Sequence, residues 1–274
     1  MTVTGSALRN QESVTRDQQT SSCGGRSLSV IVPTRNEADN VEVLAKRLAV
    51  SLADAGLRAE LIFVDDSDDD TPERISSLSS DELPVVLVHR PPGQRRGGLA
   101  GAVVEGFAAA HGDIYIVMDG DLQHPPEVIP SLALSVQSSD RSIAVGSRFM
   151  DEAHPDGLSG PGRRLISESS RMLVRGLFPS IWKLRDPLSG LFAFPKSVIN
   201  GRTLAPEGFK ILLEVLVRGQ WDDIIEVPYG FASRNSGQSK AGWAEGKHFL
   251  RQVIRLRFSL RRHPTTLATS VAAH

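Results

Sequence analysis

The 274 residues carry 31 Lys and Arg against 32 Asp and Glu, a formal net charge of −1, with 40% hydrophobic and 23% charged residues. These are the proportions of an ordinary globular protein with a sizeable core, and they exclude recruitment to nucleic acid by an overall positive field. The single cysteine, Cys23, excludes an internal disulfide and a cysteine-built metal site and fits a reducing cytoplasm. No apolar run reaches the roughly 18 residues of a membrane-spanning helix, and the N-terminus has no signal-peptide core.

Residues 1–26 are rich in Ser, Thr, Gln and Gly without periodicity and read as a disordered leader. Leu28 to Val32 is a β-type run meeting Pro33. Val41, Leu44, Ala45, Leu48 and Leu52 then recur at helical spacing up to Gly56. Leu61 to Val64 is a second strand ending in Asp65 and Asp66, with a helix beginning at Thr71-Pro72. Carboxylates at that tip suit a base or ribose, and equally suit a helix N-terminus. Val85 to Val88 is a third strand. The basic loop His89 to Gly98 follows and feeds a helix from Leu99 to Ala110, closed by Gly112, a place where phosphate can be held.

Ile114 to Met118 is apolar almost throughout, the pattern of a parallel strand covered on both faces, and it ends in Asp119-Gly120-Asp121. Residues two apart in extended chain face the same way, so both carboxylates can approach one cation. With Gln123 as a neutral oxygen, the set suits Mg²⁺ or Mn²⁺ carrying a diphosphate. The alternative is an acidic loop capping the helix from Pro126 to Val136. Ile143 to Val145 is a further strand, and it ends in Gly146-Ser147-Arg148 with a guanidinium suited to phosphate. His124 and Asp186 both lie in Pro-flanked loops. His124 reads as structural, whereas Asp186 reads either as a carboxylate that positions an acceptor or as a turn residue.

Gly208 to Gly219 reads as a helix whose Glu214 either reaches the site or pairs with Lys210 at i to i+4. Ile224 to Tyr229 is a late strand, and Arg234 to Lys240 is a small-residue loop whose cations can clamp phosphate. From Lys247 onward there is no acid, while Phe249, Val253, Leu256 and Leu260 form one helical stripe with Leu250 and Ile254 beside it. Such a basic amphipathic helix lies on an anionic membrane or packs back on the protein; the membrane is the favoured expectation. Alternating strands and helices predict an α/β fold, a mostly parallel sheet sandwiched by helices. The first strand is followed by no GxGxxG, and no GxxxxGK[ST] occurs, which removes the main support for dinucleotide-binding and P-loop readings.

Several stretches, taken in order, resemble the family 2 glycosyltransferases, above all the dolichyl- or polyprenyl-phosphate mannose synthases. They are Pro33 to Glu37, Phe63 to Asp66, Gly97 to Gly101, Met118 to Pro126, Gly146 to Arg148, Asp186 to Gly190 and Arg234 to Lys240. The resemblance covers about Leu28 to Leu256. It implies a GT-A catalytic domain over 27–240, after which the residues themselves predict the basic amphipathic helix at 241–263 and a flexible tail at 264–274. It also implies metal-dependent, inverting transfer of mannose from GDP-mannose to a polyprenyl monophosphate. Pro33, Arg35, Glu37, Val64 and Asp66 would then hold base and ribose. Asp119, Gly120, Asp121 and Gln123 would form the Mg²⁺ or Mn²⁺ and diphosphate site. Arg148, Arg234 and Lys240 would bind diphosphate, sugar or acceptor phosphate, with Asp186 near the acceptor.

Arg35 stands where relatives frequently have an aromatic, and Ser67 to Asp70 replaces a Gly/Ser/Pro-rich turn, which leaves GDP and UDP both open as the nucleotide. A UDP-glucose donor, transfer to a saccharide or natural-product hydroxyl, and a binding module without turnover are the competing readings. A polyprenyl acceptor implies a protein peripheral to the cytoplasmic membrane face, with or without a separate anchoring partner.

Overall fold

The computed structural model describes residues 25–78, 82–148, 161–205, 210–230 and 243–262. β1 (Leu28–Thr34), β2 (Ala59–Asp65), β3 (Val85–His89) and β4 (Ile114–Val117) are joined by α1 (Val41–Asp54), α2 (Thr71–Ser76) and α3 (Gly98–Ala109). A 3₁₀ turn at Pro126–Val128 leads into α4 (Ile129–Val136), and β5 (Ser142–Ser147) and α5 (Pro161–Leu177) follow. β6 (Phe192–Pro195), α6 (Ile211–Arg218), β7 (Asp223–Pro228) and α7 (Trp243–Arg262) complete the described order.

The strands form one seven-stranded sheet in the order β3-β2-β1-β4-β6-β5-β7. β6 alone runs antiparallel, against β4 and β5; the remaining pairings are parallel. Chain order reverses between β1 and β4, where Ile31 pairs with Val117. In open α/β sheets ligands bind beyond the carboxyl ends of strands at such a switch point. The tip of β1 and the Asp119-Gly120-Asp121 loop therefore meet there by topology.

Apolar runs become two-sided strands because alternate residues feed two cores. Ile31, Ile62, Val64, Val117, Phe192 and Phe194 face the core that α3, α5, α6 and α7 cover. Val30, Val32, Leu61, Phe63, Ile116 and Ala193 face the core under α1, α2 and α4.

Two local expectations change, and two elements appear that the sequence left unassigned. Gly112 does not close α3, which ends at Ala109. Instead Gly112 lies against β1, where an added Cβ would come 2.7 Å from the Leu28 carbonyl carbon, and its N–H donates to Ser29 Oγ at 2.8 Å. β6 is a four-residue strand that apolar pattern alone does not separate from a loop, and α5 likewise lies in a span the sequence leaves unassigned. In α7 the stripe Phe249, Val253 and Leu256 turns inward into the core, while Leu250, Ile254 and Phe258 face outward.

Candidate active site

β4 delivers Asp119 to the switch point, and the loop after it is tightly built. Leu122 is buried with φ of 59°, a left-handed backbone that a branched apolar residue rarely adopts. That turn brings His124 back toward Asp119. His124 is 3% exposed; its Nε2 lies 3.2 Å from Asp119 Oδ2, and its Nδ1 lies 2.8 Å from the hydroxyl of Tyr229, just past β7. Burial pushes the Tyr229 phenol far above its ordinary range, so its O–H is retained. The consistent assignment has Tyr229 donating to Nδ1 and the Nε2–H donating to Asp119.

Burial by itself would raise the Asp119 carboxyl. The His124 hydrogen bond and the charges of Lys210 and Arg148 outweigh it and hold the group below the usual carboxylate range. Arg148, at the end of β5, donates to Asp186 through Nε at 2.8 Å and Nη2 at 3.1 Å. Burial works against the Arg148 charge, and Asp186, with Tyr229 and Asp119 behind it, more than restores it. Asp186 is 1% exposed and has both oxygens engaged by this guanidinium. It therefore holds Arg148 in place.

Asp121 is buried and its Oδ1 accepts the Gln123 N–H at 3.1 Å, a local cap of the loop. Asp119 and Asp121 offer hard oxygen donors, and Asp119 is kept ionised. Gly190 leaves the space beside it clear, since an added Cβ there would stand 2.3 Å from Asp119 Oδ2. Among the described residues no group of three or more His, Cys, Asp or Glu forms a closed metal cage. Two carboxylates that leave other positions to phosphate and water suit Mg²⁺ or Mn²⁺, and the residues present fit such an ion.

The β1 and β2 tips form a second cluster. Asp66 is bound by Arg90 through Nε at 2.7 Å and Nη2 at 2.6 Å, and Arg90, 2% exposed, also reaches Glu105 at 3.1 Å. Both Asp66 oxygens thus accept from Arg90 inside the protein. Val64 is fully buried in the core under α3. Glu37 accepts the Asn40 side-chain amide at 2.6 Å, and Arg35 is exposed, 3.9 Å from Asp68. Pro33 is the penultimate residue of β1, and Gly120 packs against it and Thr34, with an added Cβ 3.1 Å from Thr34 Cγ2. The two clusters share the sheet edge: Arg148 and Asp186 lie with Asp119 at one, and Arg35, Glu37 and Asp66 lie at the β1 and β2 tips with partners of their own. Arg234 and Lys240 lie outside the described residues.

Lys210 and Tyr229 join this site without being singled out by the sequence. Glu214, the i+4 neighbour of Lys210, does not pair with it; fully buried, it binds Arg218 at 2.7 Å and Arg255 at 2.9 Å. Lys210 instead donates to the Leu188 carbonyl at 3.1 Å. Its side chain lines a cavity of about 90 Å³ with Asp119, Ser189, Gly190, Leu99 and Val117. Within the sequence, only the late position of Lys210 at a helix start hints at this.

Residues 29–199 match the model of glycosyl transferase family 2. The chain is similar to the dolichol-phosphate mannosyltransferase of Pyrococcus furiosus, 41% identical over 230 residues, covering 84% of this chain and 63% of that relative's length. It is also similar to the dolichol-phosphate mannosyltransferase of Saccharomyces cerevisiae, 35% identical over 83% of this chain and 86% of the relative. Among solved structures, glucosyl-3-phosphoglycerate synthase from Mycobacterium tuberculosis, crystallised with Mn²⁺ and UDP, superposes with a TM-score of 0.61. The match covers 88% of this chain and 82% of that one at 23% identity, a likeness of fold. The mostly parallel sheet with flanking helices is the GT-A arrangement, and with a family match over more than half its length, this chain belongs to glycosyl transferase family 2.

Proposed function

We propose that the protein transfers mannose from GDP-mannose to a polyprenyl monophosphate with inversion at the anomeric carbon. The named relatives support the donor and acceptor classes. The observation that carries the reading is the lack of a disengaged general base among the described site residues. Asp186 has both oxygens on Arg148, and His124 has its two nitrogens on Asp119 and Tyr229. A hydroxyl acceptor needs a base to take its proton, whereas an acceptor phosphate is already anionic near neutral pH.

Asp119 and Asp121, with Gln123 beside them, would hold Mg²⁺ or Mn²⁺, which supplies charge neutralisation of the donor diphosphate. Arg148, fixed by Asp186, faces the same carboxylate and binds phosphate oxygens. Arg234 and Lys240 complete the proposed phosphate contacts, and Pro33, Arg35, Glu37 and the β2 tip frame the nucleoside.

Among the described residues no helix is long and apolar enough to cross a membrane. The acceptor is reached from the cytoplasmic membrane face through α7, whose outward Leu250, Ile254 and Phe258 lie among Arg251 and Arg257, while Arg255 is held inward by Glu214. Each surface cation adds about 1 kcal/mol of attraction to anionic lipid.

The test offers the purified protein GDP-mannose or UDP-glucose with a polyprenyl phosphate, the matching polyprenol, or a free saccharide, under Mg²⁺ and Mn²⁺. Mannosyl transfer to the phosphate alone is expected. Equal transfer to polyprenol would overturn the base-free mechanism, and preference for UDP-glucose would replace the donor.

A further inference from the structure

We infer that Lys210 is a catalytic residue of this site, its ammonium stabilising the charge that collects on the donor phosphate as the sugar departs. This rests on the transfer reading above and adds a residue to it. In that reaction the bond from the anomeric carbon to the β-phosphate oxygen breaks, with its electron pair staying on oxygen. An acceptor phosphate oxygen forms the new bond, and a nucleoside diphosphate leaves without proton transfer. The step therefore needs cations at the leaving oxygen more than it needs a base.

Lys210 is built for that place. It lines the cavity that also holds Asp119 and the Ser189-Gly190 turn, and its charge acts on the Asp119 carboxylate from the same space. Its Nζ is aimed into the site by the Leu188 carbonyl at 3.1 Å. Its own carbonyl accepts Gln252 Nε2 at 3.0 Å, and Gln252 is fully buried on α7. The next residues, Ile211, Leu212 and Leu213, are buried in the core, so the main chain is anchored at Lys210 and beyond it. Glu214 would draw the ammonium along the helix, but Arg218 and Arg255 occupy both its oxygens. A cation held in position before the reaction stabilises developing charge without reorganisation.

Neutralising Asp119 does not by itself account for the lysine, because His124 Nε2 already donates to that carboxylate at 3.2 Å. Gln252 and Arg255 also make α7 a structural wall of the site, whatever its outer face meets.

The experiment compares wild type, Lys210→Met and Lys210→Arg at saturating Mg²⁺ and polyprenyl phosphate. It reads kcat, donor KM, GDP affinity by calorimetry, and thermal unfolding. Lys210→Met is expected to lower kcat by about 100-fold, the scale for one preorganised donor at developing charge. Donor KM, GDP affinity and unfolding midpoint should stay close to wild type. Lys210→Arg should recover much of kcat, because it keeps the charge. A kcat for Lys210→Met within threefold of an active wild type overturns the inference alone. A loss confined to donor KM and GDP affinity overturns it too, by assigning Lys210 to ground-state binding. A wild type that turns over UDP-glucose and not GDP-mannose overturns the mannosyl reading instead, and the Lys210 comparison is then read with that donor.

Discussion

The half of the sheet from β1 to β4 and the half from β5 to β7 use charge differently. In the first, polar strand tips are closed within the half: Asp65 takes Thr34 at 2.8 Å and His89 at 2.9 Å, Asp66 takes Arg90, and Arg95 binds Asp68 at 2.8 Å. These partners are consecutive parallel neighbours, β1, β2 and β3, or the loops that follow them. In the second half, beside the closed cluster of Glu214 with Arg218 and Arg255, a set of polar and charged groups converges on Asp119, which belongs to the first. Tyr229 meets His124 across 105 residues of sequence, Asp186 meets Arg148 across 38, and Lys210 arrives from the start of α6. One half is a scaffold whose ion pairs hold its own loops, and the other supplies cations and their supports to a carboxylate it does not own.

If that division is right, equivalent substitutions in the two halves should separate stability from transfer. The largest effect is expected for Asp119→Asn. Losing a metal-binding carboxylate removes several kcal/mol of transition-state stabilisation, so transfer falls about a thousandfold while stability changes by less than about 1 kcal/mol. Turnover and denaturant midpoint, measured together, check it; an equal fall in stability would make Asp119 a scaffold residue.

Breaking the two buried pairs comes next. Arg90→Met strands Asp66, and Asp186→Asn strands Arg148, each at about 3–5 kcal/mol, the usual cost of orphaning a buried charge. Folded Arg90→Met protein should keep nearly wild-type kcat, whereas Asp186→Asn should lose kcat as well because Arg148 is released. Equal kcat losses in both would erase the distinction between scaffold and site.

A methyl group at two glycines gives a smaller contrast. Gly106→Ala sets a Cβ 2.4 Å from Ile31 Cγ2, overpacking the core by about 1–3 kcal/mol with kcat intact. Gly190→Ala sets one 2.3 Å from Asp119 Oδ2, so the carboxylate must turn, and kcat should fall about tenfold with little change in melting.

The mildest test is alkaline titration. The two tyrosines, Tyr115 under α3 in the first half and Tyr229 in the second, are both pushed up by burial. A raised pKa means that the folded state holds these protons more tightly. Their contribution to stability is complete below the unfolded value of about 10 and is lost as pH rises through the raised values. Tyrosinate absorbance should therefore lag in native protein and appear together with unfolding. An early single-tyrosine step in native protein would show that one of the two phenols is wetter than its surroundings indicate.

Much of the first half is legible in the sequence, because its signals are local. The apolar runs at Leu28, Leu61, Val85 and Ile114, the helical spacing after Val41 and the Pro72 helix start each declare an element within a dozen residues. The Asp119-Gly120-Asp121 motif declares itself by ending such a run. The second half is less so. β6 is four residues long and antiparallel between β4 and β5, and periodicity says nothing of which strands it will separate.

Sequence by itself determined the alternating strands and helices, the acidic strand end at Asp119 and the basic apolar character of α7. Tertiary structure alone decided that Asp66 and Asp186 are occupied by arginines and that Val64 belongs to the core. It also decided that Phe249, Val253 and Leu256 point inward, and that Lys210 turns to Leu188 and the Asp119 cavity and not to Glu214. The reason is physical. Burial periodicity is a property of one segment, but the partner of a charge is whichever opposite group the sheet order brings within reach, and that order is not written in any one segment.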